Sequence, residues 1–227
     1  MESPVEERAR QRDLVRRGYD AISLRYRGDT DASSLGSEES TANYRVWIAE
    51  LGSKLEVGAR VLDLGCGAGV PAARLLTDAG FSVTGLDVSE VQIARARSLV
   101  PEAKFIVGDM ATWDNKPGEF DAIVSLYALI HVPLSDQRVL IPRLARWLTP
   151  GGYLLAIVGH DRWRGVEDYM GAPMFWDHAD EGTYVAWLEA AGFAVHWHRF
   201  VPEGATGHTL LLAQALSTSQ RAALRLG

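Results

Sequence analysis

Apolar runs that end in an acid recur through the middle of this chain, a pattern that predicts strands stopping beneath a bound molecule. Val61-Leu62-Asp63-Leu64 breaks at Gly65, Gly67 and Gly69, and Val70 to Asp78 then carries a helical pattern with Gly80 as its stop. Phe81 to Asp87 and Lys104 to Met110 repeat the form, with acids at Asp87 and Asp109. Ser89 and Gln92 form an S-x-x-Q capping box that opens a helix running toward Ser98. Phe120 to Tyr127 is a fourth strand, and Leu148 to Leu155, through the turn Pro150-Gly151-Gly152, is a fifth. Between them Ser135 to Leu148 is helical in pattern but holds Pro142, which predicts a kink or a broken start.

The flanks read differently. Val5 to Tyr26 predicts a helix with Leu14, Val15, Ala21 and Ile22 on a partial apolar face, Gly28 to Ser40 a loop, and Thr41 to Leu55 a second helix. From His160 to His178 the chain is aromatic and charged at once, without a clear period. That mixture suits a lid that lays apolar faces on a ligand and keeps polar edges wet; the alternative is an irregular surface excursion. A helix over Thr183 to Ala191 and strands over Ala194 to Phe200 and Thr209 to Leu216 complete the pattern, and the tail after Ser217 carries no recognisable chemistry.

Three glycines in five residues after a strand let the backbone turn through positive φ and bring bare peptide groups against a ligand at a helix N-terminus. A dinucleotide fingerprint would need its third glycine at position 70, which is Val70, so the spacing here is G-x-G-x-G. Asp87 ends the next strand, where a carboxylate can accept hydrogen bonds from both hydroxyls of a ribose. A purely structural turn at the glycines, a helix-capping neighbour at Asp87 and a turn former at Asp109 are the bland alternatives. Cys66 reads as a small packing residue, since nothing in the sequence marks a base for it.

Taken in order, Asp63 with Gly65, Gly67 and Gly69, then Asp87, Asp109, the Phe120 to Pro133 stretch and Leu148-Thr149-Pro150-Gly151-Gly152 resemble the successive motifs of class I S-adenosylmethionine-dependent methyltransferases. The resemblance spans roughly Val61 to Val158 and implies an α/β fold. Its Rossmann-like sheet would have seven mostly parallel strands, the last antiparallel, with helices on both faces. It implies S-adenosyl-L-methionine as cofactor and S-adenosyl-L-homocysteine as product. The implied cofactor set is Tyr19, Tyr26, Asp63, Gly65, Cys66, Gly67, Gly69, Asp87, Val88, Asp109, Met110, Ala111 and Leu126. Within it Asp87 takes the ribose, Asp109 lies near the adenine amino group and Met110 packs on the ring. Tyr19 and Tyr26 resemble the Y-D-x-x-A-x-x-Y leader of small-molecule members, where one covers the methionine portion. His131 is a candidate general base, weighed evenly against a histidine that shapes the pocket, and Tyr127, the second catalytic candidate, reads as a wall of the pocket rather than a proton donor. Trp163, Tyr169, Met174, Phe175 and Trp176 of the lid join Tyr127 and His131 as expected substrate contacts.

Composition sets the bounds. With 227 residues, 47% of them apolar, the chain suits one domain over 1–227: a leader over 1–55, a cofactor-binding core over 56–158, a lid insertion over 159–180, and a helix and hairpin over 181–216. Its 23 basic and 29 acidic residues give a net charge of −6, which disfavours nucleic acid and favours a small-molecule substrate, with a monomer or homodimer as the assembly. One cysteine suits a reducing cytoplasm, and neither an apolar signal region nor a run approaching ~18 apolar residues is present. His160, His178, His196, His198 and His208 form no recognisable metal set, so no metal is expected. The fourth strand ends Ser125-Leu126-Tyr127-Ala128, without the N/D-P-P-Y signature of base-amine methylation and without the acid a divalent-metal catechol site would need. Metal-free O-, N- or C-methylation of a small metabolite is the expectation. Two rivals stand beside it: a protein that binds the same cofactor without methyl transfer, as a cyclase-like catalyst or sensor, and a nicotinamide-dependent oxidoreductase.

Overall fold

Helix α1 (Pro4–Tyr26) starts where Ser3 and Glu6 cap each other. The Ser3 hydroxyl accepts the Glu6 N–H at 3.3 Å, and the Glu6 carboxylate accepts the Ser3 N–H at 2.8 Å. The structure, a computed structural model, describes residues 2–28, 38–217 and 219–220. Most of the loop expected from Gly28 to Ser40, and most of the tail after Ser217, therefore lie outside the described residues. Helix α2 (Glu38–Gly52) leads to β1 (Arg60–Leu64), α3 (Ala72–Asp78), β2 (Ser82–Asp87), α4 (Glu90–Leu99), β3 (Lys104–Val107) and β4 (Phe120–Ser125). Then follow α5 (Leu134–Trp147), β5 (Leu148–Gly159), β6 (Trp163–Tyr169), β7 (Ala172–His178), α6 (Glu181–Ala190), β8 (Phe193–Glu203) and β9 (Thr206–Ala215).

Seven strands form one sheet in the order β3-β2-β1-β4-β5-β9-β8. β1 to β5 pair in parallel, and β9 runs antiparallel between β5 and β8. Strand order reverses between β1 and β4, so the segments leaving their carboxyl ends diverge, which is where an open α/β sheet leaves a crevice. The side-chain period of two sorts the strand residues into two cores. Val61, Val83, Ala122 and Val124 join Trp47, Ile48 and Leu51 of α2, Leu76 of α3 and Ile93 of α4. Leu62, Leu64, Leu86 and Ile123 join Leu140, Leu144 and Trp147 of α5 and Tyr184 and Leu188 of α6.

Two expectations are corrected here. Pro142 does not break α5, which is assigned without interruption from Leu134 to Trp147. The helix buries Leu140, Ile141, Leu144 and Trp147, and at ~1.5–3 kcal/mol for each large side chain that outweighs the ~3 kcal/mol loss at an interior proline. The aromatic stretch after β5 is no irregular excursion but a regular antiparallel hairpin, β6 with β7. Its two-residue turn, Met170-Gly171, has φ of 55° and 83°, the conformation whose twist matches flanking strands. β7 lies against α1, closely enough that a Cβ on Gly18 would stand 2.8 Å from Met174 Cε.

Candidate active site

The glycine turn is pinned from below. Gly65 N–H donates to the Leu86 carbonyl at 2.8 Å and Cys66 N–H to the same oxygen at 3.1 Å, and both Gly65 and Gly67 hold positive φ. Gly67 N–H donates to Asp87 Oδ2 at 2.9 Å, and Ser89 N–H to Asp87 Oδ1 at 2.9 Å. Burial pushes the Asp87 carboxyl up, and those two donors hold it back. Each oxygen keeps a second lone pair, which is the capacity needed to receive a vicinal diol.

Asp63 is 2% exposed, and its Oδ2 has no hydrogen-bond partner. Burial, then the neighbouring charge of Asp87, pushes its pKa up to about 7. The folded state thus holds this proton more tightly than the unfolded chain, whose carboxylate titrates near ~3.9, so the group's stability contribution is complete below that pH and is lost as pH rises through 7. His131, pushed down to about 4, acts in the opposite direction over ~4–6.5, and it is present in both proteins being compared. The thermal midpoint of Asp63→Asn should therefore gain steadily on that of the parent from about pH 4 to about pH 7 and no further. A midpoint difference independent of pH would show that Asp63 is ionised throughout.

The third acid is already engaged. Asp109 Oδ1 accepts the Ala111 N–H at 2.9 Å, and Oδ2 takes Arg12 Nε at 2.6 Å; Arg12 also pairs with Asp136. Arg12 belongs to α1, which is further tied down by Asp20 to the Ser89 hydroxyl and by Ser23 Oγ to Gln92 at 2.9 Å. α1 therefore closes over the carboxyl ends of β1 and β2.

Beneath it lies a crevice of about 90 Å³ walled by Gly65, Gly67, Asp87, Val88, Asp109, Met110 and Leu126. Tyr19, Tyr26, Tyr127 and His131 are walls shared with a second space, a chamber of about 920 Å³ that also touches Trp163, Tyr169 and Trp176. Several expected contacts stand elsewhere. Gly69 packs into the core, where a Cβ would stand 3.1 Å from Phe105 and 3.3 Å from Val100. Cys66 is buried, with its thiol pushed well up by burial and by Asp63 and Asp87, hence inert. Asp63 and Ala111 line neither space. Met174 and Phe175 are corrected from substrate contacts to packing residues, since the closeness of β7 to α1 buries them with Val15 and Ile22.

His131 uses both ring nitrogens. The Phe175 carbonyl, 2.8 Å from Nδ1, can only accept, so Nδ1 carries the proton and Nε2 accepts from the Tyr19 hydroxyl at 2.9 Å. Tyr127 holds φ of 60°, a conformation that costs an aromatic side chain ~1–3 kcal/mol and that marks functional sites. Burial and then the Glu203 carboxylate hold its hydroxyl protonated. Arg27, Tyr44, Glu203 and His208 also line the chamber and were not singled out by sequence. Each sits outside the strand-end motifs, and only adjacency to Tyr26 could have drawn notice to Arg27. Among the described residues, no three His, Cys, Asp or Glu side chains converge as a metal set, and no helix is long and apolar enough to cross a membrane.

Residues 61–152 match the family described as a methyltransferase domain. The curated 2-methyl-6-phytyl-1,4-hydroquinone methyltransferase of Synechocystis sp. is 34% identical over 149 residues, 62% of this chain and 45% of that one, so the chain spans less than half of this relative. Magnesium protoporphyrin IX methyltransferase from Synechocystis superposes with a TM-score of 0.69 at 20% identity, covering 91% of this chain and 100% of that one. The cyclase SpnF superposes with a TM-score of 0.69 at 21% identity, covering 89% and 95%; likenesses this distant speak for the fold alone. The ordered motifs and the matched segment coincide: the stretch that resembles class I S-adenosylmethionine-dependent methyltransferases, 61–158, contains the residues 61–152 that match the methyltransferase domain.

Proposed function

We propose that this protein binds S-adenosylmethionine in the crevice under α1 and transfers its methyl group in line, without a metal, to a small molecule held in the adjoining chamber. The observation that carries this reading is the Asp87 carboxylate, fixed by two backbone N–H groups beside the glycine turn with a lone pair to spare on each oxygen. The residues fit the cofactor: Gly67 leaves open space where a side chain would stand, and Met110 and Leu126 supply apolar walls. The crevice is narrower than the ~300 Å³ at which ligand pockets begin, so seating the cofactor requires the Arg12 and Tyr19 contacts of α1 to yield. The hydroquinone relative is named for methylating a small molecule, which supports the acceptor class. The cytoplasm is its proposed compartment, on the single cysteine and the absence of a membrane helix among the described residues.

When bound, the cofactor supplies a methyl already activated on a sulfonium, so the protein's task is chiefly to orient and to exclude water. Aligning both partners can remove ~7 kcal/mol or more of the barrier, against nearly ~3 kcal/mol for a general base. His131 is neutral, with burial pushing its pKa down to about 4, and its free lone pair is covered by Tyr19. It orients the Tyr19 hydroxyl rather than taking the acceptor's proton.

Incubation with methyl-labelled S-adenosylmethionine and a metabolite extract should yield a product heavier by one CH₂ together with S-adenosylhomocysteine. Product formed without S-adenosylhomocysteine would support the cyclase-like reading, and exchange of hydride with a nicotinamide would overturn both. Once an acceptor is known, the pH profile of turnover should show no limb near ~6.5 that His131→Gln removes. Such a limb would restore His131 as the base.

A further inference from the structure

A guanidinium stands in the wall of the larger chamber, and no carboxylate among the described residues neutralises it. Arg27 is 9% exposed, and its Nη1 has no hydrogen-bond partner. Nη2 donates to the Tyr44 hydroxyl at 3.4 Å, and the Tyr26 and Tyr44 rings flank the charge with each centroid 5.3 Å from Cζ. Among the described residues no carboxylate pairs with it. Arg162 pairs with Asp177 at 3.3 Å, Glu203 lies 3.2 Å from His208 Nδ1, and Asp168 accepts the Gly171 N–H at 3.1 Å; Asp161 and Glu167 also line the chamber, and neither pairs with Arg27 among the described residues. The backbone that carries Arg27 is fixed, its N–H donating to the Ser23 carbonyl at 3.2 Å and its own carbonyl accepting Arg95 Nη2 at 2.7 Å.

A buried cation without a counter-charge is unfavourable, and flanking aromatic faces compensate it only in part. An anion entering the chamber completes the arrangement, with one oxygen on the free Nη1. Beside the guanidinium runs a continuous aromatic wall: Tyr19 to Tyr26 at 5.1 Å, Tyr26 to Tyr169 at 6.2 Å and Tyr169 to Trp176 at 5.7 Å between centroids. Such a wall suits a flat apolar body. A cationic acceptor would meet a like charge there. Arg27 lines the chamber and not the crevice between Gly67, Asp87 and Asp109, which separates its ligand from the nucleoside portion of the cofactor.

We propose that Arg27 is an acceptor-binding residue that pairs with a carboxylate borne by a planar, aromatic substrate. This rests on the methyl-transfer reading and narrows its acceptor. The test is calorimetric titration of the full chain, saturated with S-adenosylhomocysteine, with three probes of one shape: 2-naphthoate, its neutral amide and 2-naphthylmethylammonium. The parent should bind the carboxylate about tenfold or more tightly than the amide and bind the ammonium most weakly, as expected for a charge-assisted bond. Arg27→Gln should abolish the carboxylate preference, Arg27→Lys should retain part of it, and both should bind S-adenosylhomocysteine within about twofold of the parent. Far-UV circular dichroism checks that each variant is folded. No preference for the anion in the parent, including no measurable binding of any probe, overturns the proposal. So does a preference that survives Arg27→Gln, or a loss confined to S-adenosylhomocysteine, which would give the guanidinium to the cofactor's own carboxylate. Failure of the parent to bind S-adenosylhomocysteine is a separate result that sinks the methyl-transfer reading itself.

Discussion

Gly65→Ala should destabilise the folded protein by about 2–5 kcal/mol, whereas Gly67→Ala should lose no more than about 1–2 kcal/mol and yet fail to bind S-adenosylhomocysteine. Both glycines hold positive φ, 82° and 52°, so both variants bear the same kind of backbone strain. They differ in what a methyl group would meet. At Gly65 an ideal Cβ stands 2.2 Å from the Ala128 Cβ and 3.3 Å from Met110 Cε, while the backbone is tied to the Leu86 carbonyl and cannot swing away. At Gly67 nothing lies within 4 Å, and the methyl would project into the crevice itself. Thermal or denaturant unfolding reads the first effect and calorimetry with S-adenosylhomocysteine the second. Ala128→Gly placed on Gly65→Ala should recover a measurable part of the lost stability, because it removes the atom that is struck. If the two alanine variants were equally stable and bound alike, the turn would be a structural one with no ligand above it.

That contrast also marks how far the sequence could be read. The first three strands were legible because each is a short apolar run that stops at Gly or Asp: Gly65 follows β1, Asp87 ends β2, and Gly108 and Asp109 follow β3. What local pattern conceals is the partner of each group. Asp109 is held by Arg12, 97 residues earlier in the chain, and His131 takes its tautomer from the Phe175 carbonyl, 44 residues later. The hairpin of β6 and β7 lacked a visible period because Met174 and Phe175, adjacent and so on opposite faces, are both buried, a consequence of α1 covering β7. Arg27 is an ordinary residue at a helix end until the ring of Tyr44, 17 residues on, encloses it. Long-range packing decides each of these, and no window of neighbouring residues contains it.

Asp87→Ala should weaken S-adenosylhomocysteine binding about tenfold to hundredfold, equivalent to ~1.5–3 kcal/mol of charged hydrogen bonding to the ribose. The carboxylate also serves the protein, accepting the Gly67 and Ser89 N–H groups at 2.9 Å each, so its loss frees the glycine turn as well. Asp87→Asn separates the two contributions. An amide keeps one oxygen but turns an NH₂ toward one of those two N–H donors, so it should disturb the turn at least as much as alanine while retaining one acceptor for the ligand. A second, ligand-free readout follows from the crowding of negative charge. Asp87 contributes to the raised pKa of Asp63, after burial, so its removal should move the Asp63-linked loss of stability to lower pH than the window ending at about 7. Calorimetry and pH-dependent unfolding on the same variant then test the site twice. Unchanged affinity for S-adenosylhomocysteine would remove Asp87 from the ribose, and an unmoved pH window would show that Asp63 answers to its burial alone.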